Sequence, residues 1–260
     1  MSTGWEIFYR WEWFRRAQWL PKYPALSQRG RAWLDSFGRL LGDPEGKVVL
    51  DCSCGFGAKT AALRHMGFRT YGSDGCSFAV EKARELARER SLNIEYFAST
   101  WVDLPAQAPA RFHGVFNDAL SWIVTEEEFE ASIRSIREAL LPGGVFVFLG
   151  AREGDPPGEG LKLLREELER VPKFSVERHH VADGTECTCL LAREPGEDYI
   201  DLHRLYLIRQ PSGQRLETST IRNPFYWDWP RLARLFARSG YSRLYTSETS
   251  DKIGVNVAVK

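Results

Sequence analysis

Between Lys47 and Leu149 the chain alternates short apolar runs with segments of helical spacing. Such alternation implies a parallel sheet with helices packed on both faces. Strands are expected at Lys47 to Asp51, Arg69 to Ser73, Asn93 to Phe97, Gly114 to Asn117 and Val145 to Leu149. Helices are expected at Ala58 to Met66, Phe78 to Arg90 and from Thr125 to about Leu140, the last opened by the capping-box spacing of Thr125 and Glu128. Leu141-Pro142-Gly143-Gly144 reads as a sharp turn before the fifth strand.

The first strand runs into Asp51-Cys52-Ser53-Cys54-Gly55-Phe56-Gly57-Ala58-Lys59-Thr60, a stretch open to four chemistries. A triphosphate-binding loop needs Lys-Ser/Thr directly after its glycine, and Ala58 intervenes. A dinucleotide fingerprint wants Gly or Ala three residues after the second glycine, where Thr60 stands. A structural zinc site needs four ligands, and Cys52, Cys54 and Cys76 supply three. What remains is Asp-x-x-x-Gly-x-Gly after one strand and a carboxylate, Asp74, ending the next. The glycines allow close backbone approach, and a carboxylate so placed accepts hydrogen bonds from both hydroxyls of a ribose. That pattern suits a nucleoside and requires no phosphate. Lys59-Thr60 is then simply the start of a helix, and the cysteines are small packing residues.

Beyond Leu149 the pattern changes. Gly154-Asp155-Pro156-Pro157-Gly158 signals a linker, and a helix follows near 160–170. Four strand-like stretches come next, Phe174 to Val181, Cys187 to Ala192, Ile200 to Ile208 and Arg215 to Ile221. Asp183-Gly184 suggests a tight hairpin between the first pair, and Pro211-Ser212-Gly213 joins the last pair. A helix from Trp229 to Arg238 and strands at Tyr241 to Ser247 and Val255 to Val259 end the chain. The expected division is 1–45, an N-terminal helical lid; 46–153, the core; 154–225, an antiparallel insertion or cap; and 226–260, a late helix with two core strands.

Lys+Arg and Asp+Glu number 35 each, so the basic excess usual for a nucleic-acid binder is missing. No apolar run is long enough to span a bilayer, and no signal peptide is recognisable, so a cytoplasmic protein with reduced thiols is expected. The five histidines are scattered, and neither a catalytic histidine nor a metal is assigned. Nine tryptophans crowd toward the two ends. Each can be a packing residue. Alternatively the Trp- and Arg-rich opening, Trp5 to Leu20, is a membrane-surface helix, although its aromatics are not confined to one face.

The markers Leu50 to Gly57, Tyr71 to Asp74, Phe97 to Pro105 and Leu140 to Phe148 recur in the order and on the elements of class I S-adenosylmethionine-dependent methyltransferases, which residues 46–150 resemble. The layout is similar to the glycine/sarcosine N-methyltransferase-like group. The resemblance implies a doubly wound, mostly parallel seven-stranded Rossmann-like α/β sheet with a lid and an insertion after the fifth strand. It implies S-adenosylmethionine as cofactor and S-adenosylhomocysteine as product. Asp51, Ser53, Gly55 and Gly57 would wrap the methionine part, Asp74 the ribose, Gly75 and Cys76 the adenine border, and Thr100 and Trp101 the adenine; Asp118 would touch the cofactor by backbone. Trp101 can equally be a core residue, and Asp118 a solvent-facing one.

From the lid, Trp19 is expected on the cofactor. For the acceptor, Trp122, Arg152, Arg222 and Tyr226 are candidates, with Trp227 and Trp229 beside them, since aromatic faces attract cations. Glycine-specific members hold a carboxylate with an Asn and an Arg where this chain has Leu120 and Ala151. Arg152 or Arg222 could replace that grip. Asp118 and Tyr23 are the candidate catalytic groups, with Tyr9 a third choice. The expected activity is methyl transfer to a small-molecule acceptor, an amine or amino-acid nitrogen first. An O- or C-methyltransferase of an aromatic substrate, or a cofactor-binding protein without catalysis, are the alternatives. No nucleic-acid or membrane partner is expected, and a homo-oligomer is compatible with the sequence.

Overall fold

The computed structural model describes residues 3–17, 28–180, 184–224, 227–250 and 253–260. Two helices, α1 (Thr3–Ala17) and α2 (Gln28–Leu41), precede the core. The core runs β1 (Val48–Asp51), α3 (Ala58–His65), β2 (Arg69–Asp74), α4 (Ser77–Glu89), β3 (Glu95–Ala98), α5 (Leu104–Gln107), β4 (Phe112–Asn117), a 3-10 turn (Leu120–Trp122), α6 (Glu126–Ala139) and β5 (Leu140–Gly150). Then come α7 (Glu159–Arg170), β6 (Phe174–His180), β7 (Glu186–Pro195), β8 (Tyr199–Gln210), β9 (Gly213–Pro224), α8 (Trp229–Arg238), β10 (Arg243–Ser250) and β11 (Ile253–Val259).

The strands form a seven-stranded sheet of order β10-β11-β5-β4-β1-β2-β3 and a four-stranded sheet of order β6-β7-β8-β9. In the large sheet only the pairings made by β11 are antiparallel. Strand period two divides the apolar residues between two cores. Leu50, Phe146 and Phe148 face one core with Phe129 and Phe236. Val49, Phe116 and Val147 face the other, where α2 delivers Leu34 and Phe37. Helices therefore cover both faces, as the alternation requires. Helix α6 starts where Thr125 Oγ1 accepts the Glu128 N–H at 3.1 Å, and three glutamates fill its first turn, favoured by the helix dipole.

Three local features differ from the sequence reading. Leu141 to Gly144 lies inside β5 as an irregularity: β4 pairs Phe112 with Leu140 and next Gly114 with Val145, so the extra residues loop out. The β6–β7 pairing ends at His180 and Glu186, leaving five residues between them rather than a two-residue turn. The stretch from Leu104 to Trp122, where only the strand Gly114 to Asn117 is expected, also holds α5 and the 3-10 turn. The β8–β9 hairpin closes tightly, with Gln210 opposite Gly213.

Helix α1 is packed on several sides, which explains why its aromatics ring the helix. Trp11 is buried against Tyr206 of the antiparallel sheet, and its Nε1 donates to Glu217 Oε2 at 2.8 Å. Ser219 Oγ donates to the Gly4 carbonyl at 2.7 Å. On the core side, Tyr9 and Trp13 meet the Phe56 ring at centroid distances of 5.5 and 5.3 Å. Side chains so engaged are packing residues rather than a free membrane-facing stripe. No helix among the described residues is long and apolar enough to cross a membrane.

The turn from β1 into α3 depends on Gly57. Its φ is +85°, and a Cβ there would stand 2.5 Å from Tyr96 Oη and 3.3 Å from Ala83 Cβ. Left-handed geometry costs a non-glycine residue about 1–2 kcal/mol, and forced overpacking adds about 1–3. Gly57→Ala is expected to lower unfolding stability by about 2–5 kcal/mol in urea denaturation; a loss below about 0.5 kcal/mol would contradict this view of the turn.

Candidate active site

Strand order reverses between β1 and β4: β2 and β3 lie on one side, β5 on the other. In open α/β sheets ligands bind at the carboxyl ends of the strands at such a switch point. Here those ends are tied together. The Cys52 N–H donates to the Phe116 carbonyl at 3.0 Å. Ser53 Oγ donates to Asp118 Oδ1 at 3.0 Å, and the Asp118 N–H to Ser53 Oγ at 3.1 Å. Asn117 Nδ2 reaches Cys52 Sγ at 3.2 Å.

Beneath this junction Asp51 is fully buried. Its oxygens accept Thr60 Oγ1 at 2.8 Å and the Ser53 N–H at 3.3 Å. Lys59 Nζ pairs with Asp118 Oδ2 at 2.9 Å. Burial works against the Lys59 charge, but Asp118 and Asp51 outweigh it and raise its pKa. Lys59 and Thr60 are thus more than a helix start: they fasten α3 to the ends of β4 and β1. Sequence reading missed this because Asp118 comes beside Lys59 only when β4 pairs with β1.

A cleft of about 420 Å3 opens on the β2 side. Its lining includes Ser53, Asp74, Gly75, Thr100, Trp101 and Trp122, all expected at the site, together with Trp5 and Tyr9 from α1. Asp74 Oδ2 accepts the Gly55 N–H at 3.0 Å and Oδ1 the Cys76 N–H at 2.9 Å, which aim the carboxylate. Tyr9 Oη donates to Oδ2 at 3.4 Å. Burial raises the Asp74 pKa, and the two backbone N–H groups oppose it. Trp101 Nε1 donates to the Cys52 carbonyl at 2.6 Å, fixing an indole that is both cleft wall and core neighbour. Thr100 Oγ1 donates to Asp103 Oδ2 at 2.7 Å. Gly57 packs on Tyr96, away from the cleft, while Gly55 (φ +49°) lies under the Tyr9 ring.

A second cavity, also about 420 Å3, adjoins the first. Trp122 lines both, on the 3-10 turn after β4, held edge-on against Trp5 at 5.3 Å. Trp33, Trp227, Asp118, Asp155, Glu159 and Asp228 are among its other walls. Trp227 is pinned by its Nε1 to the Ile123 carbonyl at 2.9 Å and stacks on Phe129 at 4.2 Å. The part of Trp33, Glu159 and Asp228 is invisible in sequence, because the cavity joins α2, α7 and the start of α8.

The structure does not bring the two expected arginines into either lining. Arg152 donates through Nε to both oxygens of Asp155, at 3.0 and 3.1 Å. Arg222 forms a bidentate pair with Asp201 at 2.8 and 2.7 Å and lies 3.7 Å over the Tyr199 ring. Trp19, Tyr23 and Tyr226 lie outside the described residues. Tyr9 is a poor base: burial, then Asp74, Cys54 and Asp118, push its pKa well up. Among the described residues no group of His, Cys, Asp and Glu is arranged to hold a metal, and Cys52, Cys54 and Cys76 are buried free thiols.

The Asp51 carboxyl is pushed up to about 6 by burial, with Asp118 adding to the shift and Lys59, Thr60 and Ser53 opposing it. The folded protein therefore holds this proton more tightly than the unfolded chain. The Asp51 contribution to stability is greatest below about pH 4 and declines as pH rises to about 6, by at most about 1.4 kcal/mol per unit. Urea denaturation of wild type and Asp51→Asn between pH 4 and 7 should show their stability difference changing across that window. A difference independent of pH would contradict it.

A carboxylate fixed by two backbone N–H groups, with oxygens able to accept more bonds, and an indole in the same cleft fit an adenosyl group. Residues 49–144 match the family model described as a methyltransferase domain. The fold is similar to that of an S-adenosylmethionine-dependent methyltransferase from Clostridium acetobutylicum, at TM-score 0.63 and 11% identity over 97% of each chain. It is similar to the sugar N-methyltransferase KedS8 from Streptoalloteichus, at TM-score 0.64 and 16% identity over 100% of this chain and 94% of that one. A third is 1,6-didemethyltoxoflavin-N1-methyltransferase from Burkholderia thailandensis with bound S-adenosylhomocysteine, at TM-score 0.52 and 17% identity over 100% and 91%. Residues 49–144 thus match a methyltransferase domain, and the chain as a whole has the fold of solved S-adenosylmethionine-dependent methyltransferases.

Proposed function

We propose that this protein transfers a methyl group from S-adenosylmethionine to a nitrogen of a small molecule held in the second cavity. The observation that carries the reading is Trp122, a wall common to the cleft of Asp74 and Trp101 and to the cavity of Trp33 and Trp227. Two sites meeting at one side chain suit donor and acceptor brought together. When bound, the cofactor supplies a methyl group already activated on a sulfonium.

The protein's part is then positioning and exclusion of water, which together can account for about 7–11 kcal/mol of the barrier. Asp74 holds the ribose hydroxyls, Trp101 covers the adenine, and Ser53 and the backbone near Gly55 border the methionine part. Trp5 and Tyr9 bring α1 across the cleft and shield it. Asp118, which lines the second cavity, is the carboxylate that would take the proton released by the attacking nitrogen, and it is ion-paired with Lys59. Nitrogen as acceptor is supported by two structural relatives named as N-methyltransferases.

Kinship with the glycine/sarcosine-like group rests on layout alone, the N-terminal helix and the antiparallel sheet after β5. Leu120 is buried, the Ala151 carbonyl accepts from Asn256, and Arg152 and Arg222 are each engaged by a carboxylate.

Asp74→Ala removes charge-assisted bonds worth about 1.5–3 kcal/mol each. Calorimetry should find S-adenosylhomocysteine bound at least about tenfold more weakly by the variant, with labelled methyl passing from the donor to amines in wild type. Equal affinity in the two proteins, or label appearing only on hydroxyl groups, would overturn the reading.

A further inference from the structure

The second cavity carries information about its occupant that the methyl donor does not. Among the described residues lining it, the charged ones are Asp118, Asp155, Glu159 and Asp228, with no lysine, arginine or histidine. Two of the four are balanced from behind: Asp118 by Lys59 at 2.9 Å and Asp155 by Arg152 at 2.8 Å. The other two have no such close partner. Glu159 meets Lys162 at 3.9 Å, on an exposed side chain, and feels the Arg152 charge more weakly than Asp155 does. Asp228 Oδ1 accepts the Arg231 N–H at 3.0 Å, capping α8, and a carboxylate can accept about four hydrogen bonds. The apolar wall consists of the indoles of Trp33, Trp122 and Trp227 with Leu149 and Leu163. Carboxylates and indole faces both attract cations.

The same walls reject a carboxylate. An amino-acid acceptor would set its own negative charge among four carboxylates, of which Lys59 and Arg152 closely balance only two. The arginines nearby are already engaged: Arg152 holds Asp155, Arg222 holds Asp201 in a bidentate pair, and Arg231, over the Trp227 ring, pairs with Glu126. We propose that the acceptor is an amine on a body that bears no carboxylate, received as a cation by Glu159 and Asp228 and flanked by the indoles of Trp33, Trp122 and Trp227. This rests on the reading of the second cavity as the acceptor site. It narrows the substrate class from amines and amino acids to carboxylate-free amines, such as amino sugars and arylalkylamines. The charge of Asp228 and Glu159, rather than an arginine fork, sets specificity.

The test uses matched pairs, tyramine against tyrosine and glucosamine against muramic acid, each titrated calorimetrically into the protein saturated with S-adenosylhomocysteine. Methyl incorporation from labelled donor is measured in parallel. The carboxylate-free member of a pair should bind at least tenfold more tightly and take the label. Asp228→Asn preserves the helix cap, because Asn caps as well as Asp. Combined with Glu159→Gln it should weaken amine binding about tenfold, leaving affinity for S-adenosylhomocysteine as in wild type. The inference is overturned if the amino acids bind as well as their amines, if no amine binds the complex, or if the double variant binds amines like wild type. Failure of the methyltransferase reading would look different: S-adenosylhomocysteine itself would not bind, or label would pass only to hydroxyl groups.

Discussion

The ends of β1 and β4 are held together by a short chain of bonds, and the site follows from it. The Cys52 N–H on Phe116, the paired hydrogen bonds of Ser53 and Asp118, and the Lys59–Asp118 ion pair fix where each loop leaves the sheet. The pair is partly shielded, so removing one partner leaves a charge that is only partly solvated and weakens the junction. Asp51 lies beneath it, raised toward neutrality by burial and held by Thr60 and Ser53. From this point the β1 loop turns toward Asp74 and the β4 loop toward Trp122.

That divergence produces two spaces rather than one. The β1 loop and the end of β2 make a cleft with a fixed carboxylate and a fixed indole, the two surfaces a nucleoside offers partners for. The 3-10 turn after β4 places Trp122 as the partition. Neither space is closed by the large sheet alone. Helix α1, anchored by Trp11 on the antiparallel sheet, brings Trp5 and Tyr9 over the first. Helix α7 with Asn223, Pro224, Trp227 and Asp228 walls the second. The elements flanking the parallel core thus complete the site.

The parts legible in sequence were those governed by local periodicity or by turn chemistry. Apolar alternation predicts the sheet, and spacing alone marks Asp51 and Asp74 as the ends of β1 and β2 and Gly55 and Gly57 as the turn after β1. The Arg222–Asp201 pair was also within reach: a two-residue turn at Pro211-Ser212 sets the β8–β9 register, and that register puts Asp201 opposite Arg222. Arg152 and Asp155 are three residues apart, a spacing that invites pairing. By contrast, Lys59 with Asp118 and Tyr9 with Asp74 join residues distant in the chain, through strand pairing and helix docking that no local pattern encodes. The acidic and indole walls of the second cavity are of the same kind.

The central claim is that donor and acceptor occupy the two spaces on either side of Trp122. A crystal structure with S-adenosylhomocysteine and a bound amine tests it most directly. The ribose hydroxyls are expected on Asp74, the adenine beside Trp101, and the amine nitrogen in the cavity of Trp33, Trp227 and Asp228. Adenosine in that second cavity, or an amine bound anywhere else, would contradict it.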